Sequence, residues 1–354
     1  MTVPVALAFP GSLDTPTGGY AYDREVLRHL GDHGIAAAPL ELPAGFPLPT
    51  PDMAQDALAR LSLTADGTLL LVDGLALGAL PAEGLRPLAH RLVALIHHPL
   101  ALEAGLAPDQ RAALAASERA ALALCRAVVT TSRATARTLI GDYGVPEPRI
   151  RVAEPGVAAA PRAPCDGAVP RLLAVGSVIP RKAYGVLIAA LAGVRDLPWS
   201  LTVIGSLDLA PGESARVRAS IADQGLSDRI TLRGAVSRAE LDAAYLASDL
   251  FVHPALYEGY GMVLAEALRR GLPLVCTTGG AAAETVPDGA GVKVPPGQAD
   301  ALGAALRPLL SDAVQRRALA DAAFRAGSAL PTWSQTAAII ADILTLTHAE
   351  RMAA

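Results

Sequence analysis

Short apolar runs alternate with segments of helical spacing along the chain. In the first half, VALAF (Val5 to Phe9) precedes a helical pattern from Tyr22 to His33, and TLLLVDG precedes a short helix. RLVALIH then leads to a helix from Asp109 to Leu124, and AVVTTS to one from Ala134 to Tyr143. Such alternation predicts parallel strands wrapped by helices. The second half repeats the pattern with RLLAVGS, SLTVIGS, ITLRG, DLFVHP and LPLVCTT, each followed by loop residues and a helix. A second sheet of the same class is expected.

Between the halves, Ala153 to Arg171 is punctuated by Pro155, Pro161, Pro164 and Pro170 and has neither a helical nor a strand period. It reads as an interdomain linker. The expected fold is therefore α/β, with two Rossmann-like domains. The first covers 1–160 and the second 161–333, with a cleft between them. After Pro331 and Trp333, an amphipathic helix is expected over 334–354; periodicity does not say which domain carries it.

Composition narrows the class. At 354 residues the chain exceeds one ordinary core. A net charge of −4 lacks the basic excess that nucleic acid demands, so no nucleic-acid partner is expected. Apolar stretches are cut by Asp73, Pro81, Arg126 or Gly271 before reaching the roughly 18–20 residues of a membrane span. The opening MTVPVALAFPG has no basic leader and reads as a buried strand, which points to a cytoplasmic protein. Cys125, Cys165 and Cys276 are far apart and lack metal-ligand spacing, so three reduced thiols and no metal are expected.

In open parallel sheets, ligands bind beyond the carboxyl ends of the strands. After the first strand, PTGGY (Pro16 to Tyr20) places Gly18 and Gly19 before a helix, either as a plain turn or as an anion cradle. His97 and His98 end a strand expected to be central, where each either hydrogen-bonds a sugar or transfers a proton, or else is satisfied by neighbouring backbone. Arg181 and Lys182 follow a strand and precede a helix. Lysine occurs only there and at Lys293 among 30 basic residues. Cations at such a place suit a diphosphate; the alternative is a solvated surface pair.

HPALYEGYGMVLAEALRRGLPLV (His253 to Val275) carries the most information. Glu258 follows a strand, Gly259 and Gly261 open a helix, and Glu266 lies about two turns along it. The N–H groups of Gly259, Tyr260, Gly261 and Met262 suit phosphate or sugar oxygens, and the two carboxylates suit hydroxyls spaced along one extended ligand. A sugar nucleotide presents both. Otherwise Glu258 only complements the helix dipole and Glu266 is an exposed or paired acid.

Glu258 and Glu266, with seven residues between them, resemble the EX7E motif of retaining glycosyltransferases, closest to glycosyltransferase family 4. TGGY, IHHP, VTTSRATARTL, PRK and GLPLVCTTGGAAAE (Gly271 to Glu284) extend the resemblance over nearly the whole chain. It implies a GT-B fold, no metal and no cofactor, with a nucleotide sugar as co-substrate held mainly by the second domain. A UDP-sugar is the first candidate. By position, Glu258 would contact the donor sugar hydroxyls and Glu266 the ribose, with the Gly259 to Met262 backbone on sugar or phosphate. Lys182, aided by Arg181, would bind the diphosphate, and Gly18 and Gly19 would close on it. His97 would touch the sugar near its sixth carbon, with His98 one place off. Arg233, Gly234 and Val236 resemble the base pocket, and the final helix would cross back to the first domain. Where many members carry Arg after the strand glycine and a Lys-Gly pair, this chain has Ser177 after Gly176 and Ala183 after Lys182.

The expected reaction is hexose transfer from the nucleotide sugar to an acceptor hydroxyl, with the departing phosphate as base. The acceptor stays open among small molecules, glycans and lipids. Tyr22, Asp73, His98, Glu103 and Arg133 are candidates for its site, or structural hydrogen-bond partners. Peripheral membrane contact also stays open, although Arg86, Arg91, Arg111 and Arg119 form no dense basic stripe. Two rivals remain: a GT-B phosphorylase, for which Lys293 in a Pro-rich turn, VKVPP, is no convincing cofactor lysine, and a silent sugar-nucleotide-binding partner subunit.

Overall fold

The short apolar runs expected as strands form the strands of two sheets, most of them buried. The computed structural model describes residues 2–103 and 105–353. Met1 and Ala354, the outer ends of the expected first strand segment and final helix, lie outside the described residues.

In chain order the first half holds β1 (Val3–Pro10), α1 (Gly18–Leu30), β2 (Ile35–Leu42), α2 (Pro51–Leu63), β3 (Leu69–Asp73), α3 (Gly74–Leu77), α4 (Ala82–Leu85), β4 (Leu92–Ile96), α5 (Pro108–Leu124), β5 (Ala127–Thr130), α6 (Arg133–Gly141) and β6 (Ile150–Val152). The second holds β7 (Arg171–Val175), α7 (Tyr184–Ala192), β8 (Ser200–Ile204), α8 (Pro211–Asp223), β9 (Ile230–Leu232), α9 (Arg238–Leu246), β10 (Leu250–His253), α10 (Met262–Arg269), β11 (Leu274–Thr277), α11 (Ala282–Thr285), β12 (Val292–Val294), α12 (Ala299–Ser311), α13 (Ala313–Ser328) and α14 (Trp333–Ala353).

Two six-stranded sheets result, ordered β2-β1-β3-β4-β5-β6 and β12-β11-β10-β7-β8-β9. All pairings are parallel. Interior strands such as β3 and β4 are buried along their whole length, which is why they read as unbroken apolar runs. Helices cover the sheets with Leu, Ala and Val, and each sheet has its own core.

The chain divides into two units, one of residues up to Gly156 with those from Pro331 on, the other Val157–Leu330. The final helix packs within the first unit. Its Trp333 ring meets Tyr22 edge-on at 5.6 Å, and Thr336 Oγ1 donates to the Glu154 carbonyl at 2.7 Å. Gly156 is required at this join, because a Cβ there would lie 2.2 Å from the Trp333 nitrogen. Amphipathicity is weaker than expected: Thr336, Ala337, Ile340, Ala341, Ile343, Leu344 and Thr347 form the buried stripe, but Ile339, Leu346 and Met352 lie on the exposed side.

The proline-rich segment forms no helix or strand before β7, yet it does not run free. Ala163 and Cys165 are buried on the second unit, the Ala163 N–H donates to the Arg270 carbonyl, and the Gly167 N–H donates to Asp249 at 2.8 Å. All three cysteines are buried free thiols. Lys293 lies in the edge strand β12 rather than in a turn, a correction to the reading of VKVPP. None of the described helices is long and apolar enough to cross a membrane.

Candidate active site

In the second unit, the strand ends bring cations against an acid. β7 ends at Val175, and the chain turns through Gly176 to a short helical turn, Pro180–Lys182, before α7. The Lys182 stem crosses Gly176, whose Cβ would lie 3.2 Å from Lys182 Cε. The Tyr184 hydroxyl fixes the same glycine by donating to its carbonyl at 2.7 Å. Ala183, where a glycine would be usual, sits in the left-handed region at φ +50°.

β10 delivers Glu258. Its neighbour loop after β11 packs directly on it: a Cβ on Gly279 would lie 2.2 Å from the Leu256 carbonyl oxygen, and one on Gly280 would lie 2.3 Å from that of Glu258. The Ala281 N–H donates to the Glu258 carbonyl at 2.8 Å. Gly261 then caps α10 at φ +90°, within 3.8 Å of Glu258 Cγ by its would-be Cβ. The glutamate is thereby buried at a helix start.

Glu258 Oε1 accepts from Lys182 Nζ and, at 2.8 Å, from His253 Nε2. Arg181 donates to the Tyr257 carbonyl at 2.8 Å and to Glu258 Oε2 at 3.4 Å. Arg181 and Lys182 have side chains only 15% and 14% exposed, so the solvated-pair alternative is excluded. Burial alone would raise the Glu258 carboxyl. Lys182 above all, then the His253 hydrogen bond and the Arg181 charge, outweigh it and hold the group well below the usual carboxylate range. His253 is held below the ordinary histidine value by burial, reinforced by Lys182 and Arg181 against the pull of Glu258. An ionised carboxylate only accepts, so His253 Nε2 carries the proton of this bond.

Glu266 lies in a separate network. Arg238 donates to its Oε1 at 2.6 Å and the Tyr245 hydroxyl to its Oε2 at 2.9 Å. The structure therefore gathers Glu258, Arg181 and Lys182 into one cluster and gives Glu266 other partners. Ser177 and Gly234 converge through Gly205, whose N–H donates to the Gly234 carbonyl at 3.0 Å and whose Cβ would lie 2.1 Å from the Gly176 carbonyl oxygen. Val236 packs partly buried against the second core, and Arg233 faces Glu240 at 3.4 Å on the exposed side.

In the first unit, Thr17 caps α1, and Gly18 and Gly19 form its first turn. Gly19 lies over the His97 ring, since its Cβ would meet His97 Cδ2 at 3.2 Å. His97 Nε2 is 3.2 Å from Asp23 Oδ1 and 3.7 Å from Asp73 Oδ2, while His98 Nε2 is 2.6 Å from Glu103. Arg133 is exposed at the start of α6. Tyr22 is fully buried and its hydroxyl donates to the Ala153 carbonyl at 2.9 Å, the structural hydrogen bond that the sequence left open for it.

Sequence reasoning missed His253, Arg238, Tyr245 and Asp23. Asp23 left a trace, because with Val26 and Leu30 it occupies the buried face of α1, where a carboxylate requires a partner.

Residues 164–326 match the family model described as glycosyl transferases group 1, and residues 21–160 match the one described as glycosyltransferase family 4. Both units therefore resemble glycosyltransferase domains, and the chain shares its two-domain fold with solved glycosyltransferase structures. A sucrose-phosphate synthase of Thermosynechococcus elongatus shares the fold at TM-score 0.80 and 20% identity, covering 98% of this chain and all of that one. The Anabaena protein HepE, in complex with UDP and glucose, has TM-score 0.76 and 21% identity over 97% of this chain and 99% of its own. Among curated glycosyltransferases, an MMP alpha-(1->4)-mannosyltransferase of Mycolicibacterium hassiacum is 30% identical over 60% of this chain and 52% of its own length. A D-inositol 3-phosphate glycosyltransferase of Pseudarthrobacter chlorophenolicus is 30% identical over 68% of this chain and 60% of its own. The chain thus spans a little over half the length of the curated glycosyltransferases it matches.

Lys293 Nζ donates to the Ala283 and Val286 carbonyls at 3.0 and 3.2 Å and contacts Asp288. Its amine is occupied by structural bonds, which argues against the phosphorylase reading.

Proposed function

We propose that the enzyme is a family 4 retaining glycosyltransferase, moving a hexose from a nucleotide diphosphate sugar to an acceptor hydroxyl without a metal ion. The observation that carries this reading is the buried meeting of Lys182 and Arg181 with Glu258 at the start of α10. A diphosphate is drawn to those cations and to the backbone N–H groups of Gly259 to Met262 leading into α10, which stabilise the negative charge that develops as it leaves. Glu258 accepts from the sugar hydroxyls and Glu266 from the ribose, while Ser177, Arg233, Gly234 and Val236 border the base. A UDP-sugar is the first candidate, supported by the nucleotide bound to HepE.

The acceptor oxygen forms its bond to the anomeric carbon on the face from which the diphosphate departs. The bond from that carbon to the diphosphate breaks, and a departing phosphate oxygen takes the acceptor proton. The test is to supply UDP-, GDP- and ADP-hexoses with an acceptor panel and follow fresh product by proton NMR. Retained configuration supports the reading. An inverted anomeric centre, or neither transfer nor hydrolysis with any donor, overturns it.

A further inference from the structure

His97 is enclosed within the first unit. Tyr22 meets the ring edge-on at 5.3 Å, Gly19 lies over Cδ2, and Asp23 and Asp73 both face Nε2. The three polar groups have atoms within 4.8 Å of one another. Asp23 is wholly buried, its Oδ2 has no hydrogen-bond partner among the described residues, and Asp73 is 3% exposed. Two buried carboxylates directed at one imidazole nitrogen amount to more negative charge than packing can tolerate without compensation.

We propose that Asp23 and Asp73 are positioning residues that keep His97 as an imidazolium, with Nε2–H held between them and Nδ1–H left to donate to an oxygen of the sugar ligand. This rests on the glycosyl-transfer reading for the identity of the ligand. A charged ring is a stronger donor than a neutral one, and it gains strength wherever negative charge builds on that oxygen.

Charge balance supports it. Burial works against a charge on His97, but Asp23 and then Asp73 outweigh burial and push the ring up to about 9. The Asp73 carboxyl is pushed up to about 7 by burial and next by Asp23. A proton held on Asp73 offsets one of the two carboxylates, and a charged ring offsets the other. The other titratable groups facing it are Tyr20, pushed up to about 12 by burial and then by Asp73 and Asp23, and the buried Tyr22; His98 is engaged with Glu103.

The test is NMR titration of the full chain labelled with 15N-histidine, beside Asp23→Asn, Asp73→Asn and His97→Gln, the last to assign the signal. Thermal melts would confirm that each variant folds. His97 is expected to titrate near 9 in the parent chain and at least one pH unit lower in Asp23→Asn, a shift that lost packing alone does not produce. Titration between 6 and 7 in the parent chain overturns the proposal. So does stoichiometric uptake of Zn2+ or Mn2+ on the ring. Titration of the parent chain with UDP-, GDP- and ADP-sugars separates the two readings: a high His97 value without any donor binding sinks the transferase reading alone. Should Asp23→Asn fail to fold, Asp73→Asn decides, with a downward shift again expected and an unmoved His97 contradicting the proposal.

Discussion

His253 Nε2 lies 2.8 Å from Glu258 Oε1, both side chains buried, and Lys182 shares the same oxygen. Any anion drawn to Lys182 must compete with Glu258. Replacing the carboxylate by its neutral amide should therefore have opposite effects on binding and on turnover. Glu258→Gln is expected to bind a nucleoside diphosphate several-fold more tightly, while turnover falls at least tenfold, about 1.4 kcal/mol of barrier. Calorimetry and initial rates check both. Weaker diphosphate binding would mean that the glutamate supports the cations rather than competing with them.

Ala183 occupies the left-handed region at φ +50° as it caps α7. That conformation costs an L-residue about 1–2 kcal/mol, while glycine loses about 0.4–1 kcal/mol through the unfolded chain. Ala183→Gly is expected to stabilise the second unit by up to about 1 kcal/mol. A lowered thermal midpoint would contradict the strain.

Tyr22→Phe deletes the hydroxyl that donates to the Ala153 carbonyl and leaves that oxygen buried and unpaired. The expected loss is about 1–2 kcal/mol of stability with acceptor KM unchanged. Thermal melts and acceptor kinetics check this, and a raised acceptor KM at unaltered stability would place Tyr22 in the acceptor site.

The first unit should lose stability in mild alkali. The folded His97 value is pushed up to about 9, above an unfolded value of about 6.5. A raised folded value gives stability that is complete below the unfolded one and lost as pH rises through the folded one. Asp73 acts in the same sense, but its loss is complete by about 7. Between pH 7 and 9.5 the parent chain should lose on the order of 2 kcal/mol relative to His97→Gln. Parallel melting curves over that range would contradict it.

What the sequence made legible follows burial. Interior strands such as TLLLVDG and RLVALIH are apolar throughout because helices cover both faces. The strands that were missed, β2, β6 and β12, are sheet edges. β2 is buried only at its ends, Ile35 and Leu42, and carries Pro39, tolerated where one side of the strand needs no ladder bond; β6 and β12 are three residues each. At the candidate site, Glu258, Arg181 and Lys182 could be placed because glycines and helix starts mark strand ends. Asp23 acts through His97, 74 residues away, a separation that no local spacing encodes, whereas His253 stands five residues from Glu258 in the same motif, and only the fold of the loop shows that the two meet.

The grip on a diphosphate by Lys182 is tested most directly by calorimetric titration of the parent chain and Lys182→Ala with UDP, GDP and ADP, each beside its nucleoside. Folding of the variant is expected to survive, because Arg181 and His253 still partner Glu258. At least one diphosphate should bind the parent chain and lose tenfold or more in affinity in Lys182→Ala, about 1.4 kcal/mol, with nucleoside binding unchanged. Equal diphosphate affinity for the two proteins would contradict the role given to Lys182.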